Sequence, residues 1–430
     1  MEKKKSNILA IVIMFFLFAM ISFVTGLQNP FGIIVKSQFH ASNAMSQLGN
    51  LANFIAYLFM GLPAGFILKK KGYKVTALIA VAIGFIGVGI TFLSGVAASF
   101  AVYLLGAFIS GFSMCILNTV VNPMLNTLGG GGNRGNQLIQ YGGSLNSLSA
   151  TIVPVFVGYL IGDVTSNTMI TDANPALYIA MGIFALAFFI ILFSRIPEPE
   201  LEAAKAAEAA GEKSESTLAS VKGALSFRHF LLGIIAIFIY VGVEVSIPSI
   251  ANLYMTSEAI GISAAVAGSV VGMYWLLMFV GRLIGGVVGG KVSSRTMMIT
   301  VTSVAIVFLI AGMILGNDFS VRFPAVTSQL KFTMAEIPVG VMFFVLCGLC
   351  TSVMWGSIFN LSVEGLGRYT SIASGLFMMM VFGGGVLPVV QGAVADNAGY
   401  IASYIVTALC VAYMLWYALF GSKVIKKVEK

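Results

Sequence analysis

Twelve times along this chain a run of about twenty apolar residues ends in a short polar break. Such a run, wound as a helix, crosses the roughly 30 Å hydrocarbon core of a bilayer. On that ruler helices 1 to 12 fall near 8–34, 45–68, 75–95, 99–123, 137–161, 175–195, 230–255, 264–289, 297–316, 337–361, 371–395 and 401–421. The fold expected is therefore an all-α membrane protein with twelve transmembrane helices. Composition agrees: 58% of residues are hydrophobic and 9% charged, against about 25% charged in soluble domains.

The net charge of +8 does not point to nucleic acid, because the basic residues sit in short clusters between apolar runs. The side holding the termini has Lys3–Lys5, Lys69–Lys71, Lys74, Arg134, the central linker, Lys291, Arg295, Arg368 and the Lys423–Lys430 tail. The opposite side has only Lys36, Arg322 and Lys331. By the positive-inside rule both termini lie in the cytoplasm. The lysines of Met1–Asn7 before an apolar run imitate a signal peptide. That run lacks a small-residue cleavage site and ends at Gln28-Asn29-Pro30, so it reads as a retained helix 1.

Cys115, Cys347, Cys350 and Cys410 all lie in apolar runs. The C-x-x-C of Cys347 and Cys350 therefore reads as packing rather than redox or zinc chemistry. With only His40 and His229 besides, no metal or catalytic constellation is visible, and no enzyme or cofactor is expected.

The charged stretch 197–228 separates six spans (1–196) from six (229–430). Its Glu/Ala/Lys-rich part, Glu198 to Lys213, favours a surface helix linking two bundles. The halves also echo one another. Gly61-x-x-x-Gly65 ends helix 2 where Gly281-x-x-x-Gly285 ends helix 8. Pro154, Gly158 and Asp163 close helix 5 where Pro388, Gly392 and Asp396 close helix 11. Duplicated six-helix units mark transporters that rock two halves about a midplane site.

Two charges sit where lipid should exclude them: Glu244 in helix 7 and Arg282 in helix 8. Each costs at least about 2.5–3.5 kcal/mol at the bilayer centre. Either they form a structural pair, or Glu244 binds and releases a coupling ion with Arg282 tuning it.

Gly65-x-x-x-Lys69-Lys70-x-Gly72-x-Lys74 resembles the loop 2–3 signature of the major facilitator superfamily, with Lys69 where an acid is usual. A closer resemblance, to the fucose permease branch, rests on motifs spread from helix 1 to helix 12. These are Leu62-Pro-Ala-Gly65, Asn122-Pro123, Asn146-Ser147, Tyr240-Val-Gly242, Gly281-Arg282, Ile358-Phe359, Gly383-Gly-Gly385 with Pro388, and Asp396. The resemblance implies two six-helix bundles, alternating access and a sugar as substrate. Asn29 and Asn118 stand where that branch carries its helix 1 aspartate and helix 4 glutamate. Glu244 stands where it carries an uncharged amide. The coupling acid is thus expected to have moved to the C-terminal half or been lost.

Read on their own, the polar residues of the spans form a coherent set. Asn118 and Asn122 share a helical face, as do Glu244, Pro248 and Asn252. Gln28 and Asn29 stand next to Pro30, whose missing N–H frees a carbonyl. With Gln140, Asn146, Trp275, Trp355 and Asn360 they make the expected substrate-binding set. Amides suit sugar hydroxyls, and indole rings suit the apolar face of a pyranose. The plainer reading of any one Asn is a helix–helix hydrogen bond.

The expectation is a monomeric carrier in a bacterial inner membrane. It imports a neutral hexose or N-acetylhexosamine with H+ or Na+, and has no nucleic-acid partner. The alternatives are an uncoupled facilitator, an exporter of another small solute, or a non-transporting sensor.

Overall fold

In lipid every backbone N–H and C=O must be satisfied within the chain, and the computed structural model is accordingly almost entirely helical. It describes the chain apart from residues 1, 130–131, 163–166, 199–200, 203–216, 289–291, 367–368 and 426–430. The surface helix expected over Glu198 to Lys213 falls largely outside the described residues.

Eleven described helices are long and apolar enough to span: Ile8–Gln38, Leu48–Leu68, Lys70–Val96, Phe100–Leu125, Tyr141–Ile161, Ile170–Phe193, Arg228–Met255, Ala264–Val288, Ser294–Leu315, Gly375–Ala398 and Tyr400–Gly421. The twelfth, helix 10, is a pair, Val339–Thr351 and Met354–Val363, bent by 41°. Hydroxyls bond back on their own helix at that bend. Thr351 Oγ1 donates to the Cys347 and Gly348 carbonyls, and Ser352 Oγ donates to that of Leu349 at 2.6 Å. Such side-chain bonds compete with the backbone ladder and bend helices. The ladder of helix 1 is interrupted at Leu27, between Glu2–Gly26 and Gln28–Gln38, three residues before Pro30, which has no N–H to donate. Helices 2 and 3 part at Gly72, whose φ of 79° suits glycine.

Between helices 9 and 10 lies a feature that hydropathy alone does not reveal, an antiparallel hairpin of β1 (Ser320–Val326) and β2 (Phe332–Pro338). Its Val326 N–H donates to Ser269 Oγ on helix 8 at 2.9 Å, which lays it against the bundle.

The internal repeat is physical as well as textual. Lys74, in the first turn of helix 3, donates to the Ser194 carbonyl at the end of helix 6 at 2.9 Å. Arg295, in the first turn of helix 9, donates to the Ala418 carbonyl at the end of helix 12, also at 2.9 Å. The matched glycines of helices 5 and 11 each let a helix of the other bundle approach. A Cβ on Gly158 would lie 3.0 Å from Ala265 Cα on helix 8, and one on Gly392 2.9 Å from the Asn43 carbonyl ahead of helix 2. Small residues at such crossings are how helices pack closely in membranes. Helix pairs 5/8 and 2/11 therefore seam the two bundles.

Candidate functional site

At the 5/8 seam lies the Glu244–Arg282 ion pair, the one ion pair found among the described residues, at 3.4 Å. Each side chain is 13% exposed. The guanidinium does more than pair. Its other terminal nitrogen donates to the Gly143 carbonyl at 2.7 Å and Ser147 Oγ at 2.8 Å, both on helix 5 of the opposite bundle. Arginine suits this task, since its rigid fork serves several acceptors at once. One side chain thus ties the carboxylate of helix 7 to the backbone of the other half.

Around the pair stands an aromatic and hydroxyl wall. Tyr240, one turn before Glu244, donates its hydroxyl to the Thr351 carbonyl at 3.2 Å. The Tyr274 hydroxyl meets Thr351 Oγ1 at 3.0 Å. Trp355 stands edge-on to Tyr240 and to Phe377, with centroids 6.2 and 5.6 Å away. Trp275 packs edge-on against Tyr274 at 5.3 Å and is half-buried. The break in helix 10 brings Thr351 and Trp355 to this wall together.

In the N-terminal bundle Asn118 and Asn122 do share a face. Asn118 Nδ2 donates to the Tyr57 hydroxyl at 3.0 Å and the Met114 carbonyl at 3.1 Å; Asn122 Nδ2 donates to the Asn118 carbonyl at 2.9 Å. Both are half-buried. Their amide nitrogens are anchored, which orients the amide oxygens as acceptors.

Three of the other expected residues lie elsewhere. Asn146 turns to helix 1 and donates to the Phe18 carbonyl at 3.1 Å, beside a similar bond from Ser149 to Ala19. Asn360 is exposed and reaches Ser294 Oγ at the start of helix 9. Asn252 is buried, and its Oδ1 has no partner. It lines a small cavity with Pro30, Ile33, Gly158, Ala264 and Gly268, between helices 1, 5, 7 and 8. The side chains of Gln28, Asn29 and Gln140 fall outside those described.

Sequence reasoning missed Tyr57, Tyr274 and Thr351 as neighbours of the site. Tyr240 was visible in principle, four residues before Glu244 on one helical face. Thr351 carries no such signal, because the bend in helix 10 that places it leaves no mark in the apolar run.

Comparison with known proteins adds the following. The family model described as Major Facilitator Superfamily matches residues 14–387. A glucose/galactose transporter of Brucella abortus is 28% identical over 410 residues, spanning 95% of this chain and 92% of that protein. A putative glucose/galactose transporter of Helicobacter pylori is 27% identical over 436 residues, 98% of each. Among solved structures, the major facilitator transporter FucP in its outward conformation is similar with a TM-score of 0.69 at 21% identity. That match covers 97% of this chain and all of the other.

Proposed function

The chain belongs to the Major Facilitator Superfamily, and we propose that it imports a neutral monosaccharide of the glucose/galactose type, coupled to H+ or Na+. As a member of that family it is a carrier and not an enzyme. The substrate class is supported by the glucose/galactose transporters that match nearly its whole length. The orientation proposed is that of a bacterial inner-membrane protein with both termini in the cytoplasm, supported by the distribution of Lys and Arg.

The observation that carries the coupling is the Arg282 bridge. Glu244 is the single carboxylate well inside a span, and Arg282 binds both it and helix 5. When Glu244 is ionised it shares the guanidinium with Gly143 and Ser147. A proton or Na+ on Glu244 cancels its pull, leaving Arg282 to helix 5 or to the substrate. The ion thereby biases the seam between bundles, which is the element an alternating-access carrier must rearrange.

The sugar site proposed lies beside this pair. The set proposed for it takes Trp355 and Trp275 as apolar surface, Asn118 and Asn122 as amides of the other bundle, and Asn252 on the helix that carries Glu244. The side chains of Gln28, Asn29 and Gln140 remain part of the proposed set on sequence grounds. Asn146 and Asn360 contribute less, given their partners on helices 1 and 9.

Uptake of labelled glucose and galactose into proteoliposomes under an imposed H+ or Na+ gradient tests the reading. One of the two ions should drive uptake above equilibrium. Equal uptake with no gradient at all would favour the uncoupled facilitator.

A further inference from the structure

A second polar network joins the bundles at the face opposite the chain termini. Lys36, near the end of helix 1, donates its ammonium to Asn43 Oδ1 at 2.6 Å and to the Tyr400 hydroxyl at 2.8 Å. The same ammonium lies 5.5 Å from the centroid of the Tyr400 ring. The Tyr400 hydroxyl in turn donates to Asn43 Oδ1 at 2.8 Å. Asp396, near the end of helix 11, accepts the Asn43 N–H at 2.9 Å on one carboxylate oxygen and the Ala44 N–H at 3.0 Å on the other. Asn43 and Ala44 open the short turn Asn43–Ser46 that leads into helix 2.

Two residues of the C-terminal bundle, Asp396 and Tyr400, thus grip the entrance of helix 2 together with Lys36 of helix 1. Directly beneath, Gly392 brings helix 11 against the backbone of Asn43 and Ala44. The inter-bundle cavity lined by Ile33 and Asn252 starts one helical turn from Lys36. In an alternating-access carrier a seam of this kind must part for solute to enter from that face.

We propose that Asp396, Lys36 and Tyr400 form a latch that holds shut the entrance opposite the termini, and that its release opens the path to the central site. The burial pattern fits a reversible contact. Asp396 is exposed and Lys36 half-buried, so on opening each charge passes to water without crossing an apolar barrier. The Glu244–Arg282 pair differs, being enclosed. The latch depends on alternating access and not on which sugar is carried.

The test is the reactivity of a cysteine in place of Ile33, which lines the cavity next to the latch. A membrane-impermeant maleimide is added to vesicles whose exposed face is the one opposite the termini. The protein without that cysteine is the blank, since Cys115, Cys347 and Cys350 are buried and Cys410 is half-buried. Asp396→Asn keeps the shape but puts an amide nitrogen, which cannot accept, in place of one carboxylate oxygen and removes the charge behind the other bond, so the labelling rate should rise by roughly tenfold. Tyr400→Phe removes a hydroxyl that bonds both Lys36 and Asn43, and should raise the rate in the same direction by less. An unchanged rate in both variants, with each monodisperse in detergent, overturns the proposal. So does a lowered unfolding temperature in Asp396→Asn without faster labelling, which would make the carboxylate only a support for the fold. Should Asp396→Asn not fold, the Tyr400→Phe rate decides alone.

Discussion

Glu244→Gln preserves the shape of the side chain and fixes it neutral. At 3.4 Å and an effective dielectric of about 20, the attraction lost is about 5 kcal/mol, most of it already offset by the cost of desolvating both charges. Stranding a buried partner would ordinarily cost about 3–5 kcal/mol. Here the guanidinium keeps the Gly143 carbonyl and Ser147 Oγ at 2.7 and 2.8 Å. The expected loss of stability is therefore about 1–3 kcal/mol, that of one charge-assisted hydrogen bond. The effect on transport should be much larger. One charge moved down 100 mV supplies about 2.3 kcal/mol, which at 1.36 kcal/mol per decade sustains roughly fifty-fold sugar accumulation. With no carboxylate left well inside a span, the variant should fall to a ratio of about one. Sugar-for-sugar exchange requires no net ion release and should continue. The assay is uptake by purified protein in proteoliposomes with an inside-negative potential, with exchange and thermal unfolding measured on the same preparations. Accumulation at the wild-type rate would refute the coupling role. Joint collapse of exchange and stability would mean that the pair is structural and that helix 5 does not satisfy Arg282.

Asn118→Ala should weaken sugar binding by about 1–3 kcal/mol, a rise in Kd of roughly five-fold to more than a hundred-fold, read by calorimetry on purified protein. Asn146→Ala should instead leave sugar affinity unchanged and lower thermal stability by about 0.6–1.7 kcal/mol, because its amide bonds the Phe18 carbonyl. Arg282→Lys should impair transport, since a single ammonium cannot hold the positions of Glu244, Gly143 and Ser147 together; initial uptake rates measure it. A cysteine replacing Lys5 should resist impermeant maleimide added from the periplasmic side and react only in permeabilised cells.

The spans were legible because lipid leaves the backbone so few options. The helix running Ala264–Val288 was anticipated within a residue from apolar length alone. The pairing of Glu244 with Arg282 was legible too, as two costly charges on neighbouring spans. Its reach to helix 5 was not, because Gly143 offers only a carbonyl and a carbonyl leaves no mark in a sequence. For the same reason Asn146 looked like a sugar ligand: an amide facing a backbone oxygen and an amide facing a hydroxylated ligand read alike. The bend in helix 10 was not legible, since Thr351 and Ser352 turn their hydroxyls back on their own helix there just as Thr119 and Thr302 do in unbroken helices. The β1–β2 hairpin does carry the alternation of strands, with Ala325 and Ile337 buried and Arg322 and Glu336 exposed. At seven residues per strand it is too short to stand out beside twelve long apolar runs.

The claim at the centre of this account is that a neutral sugar occupies a site reached alternately from the two sides of the membrane. Counterflow tests it with no imposed ion gradient: proteoliposomes loaded with unlabelled glucose or galactose are diluted into a trace of the labelled sugar. Label inside should overshoot transiently, and should not do so in liposomes without protein. Label that only equilibrates, for every neutral hexose and N-acetylhexosamine tried with active, monodisperse protein, would contradict it.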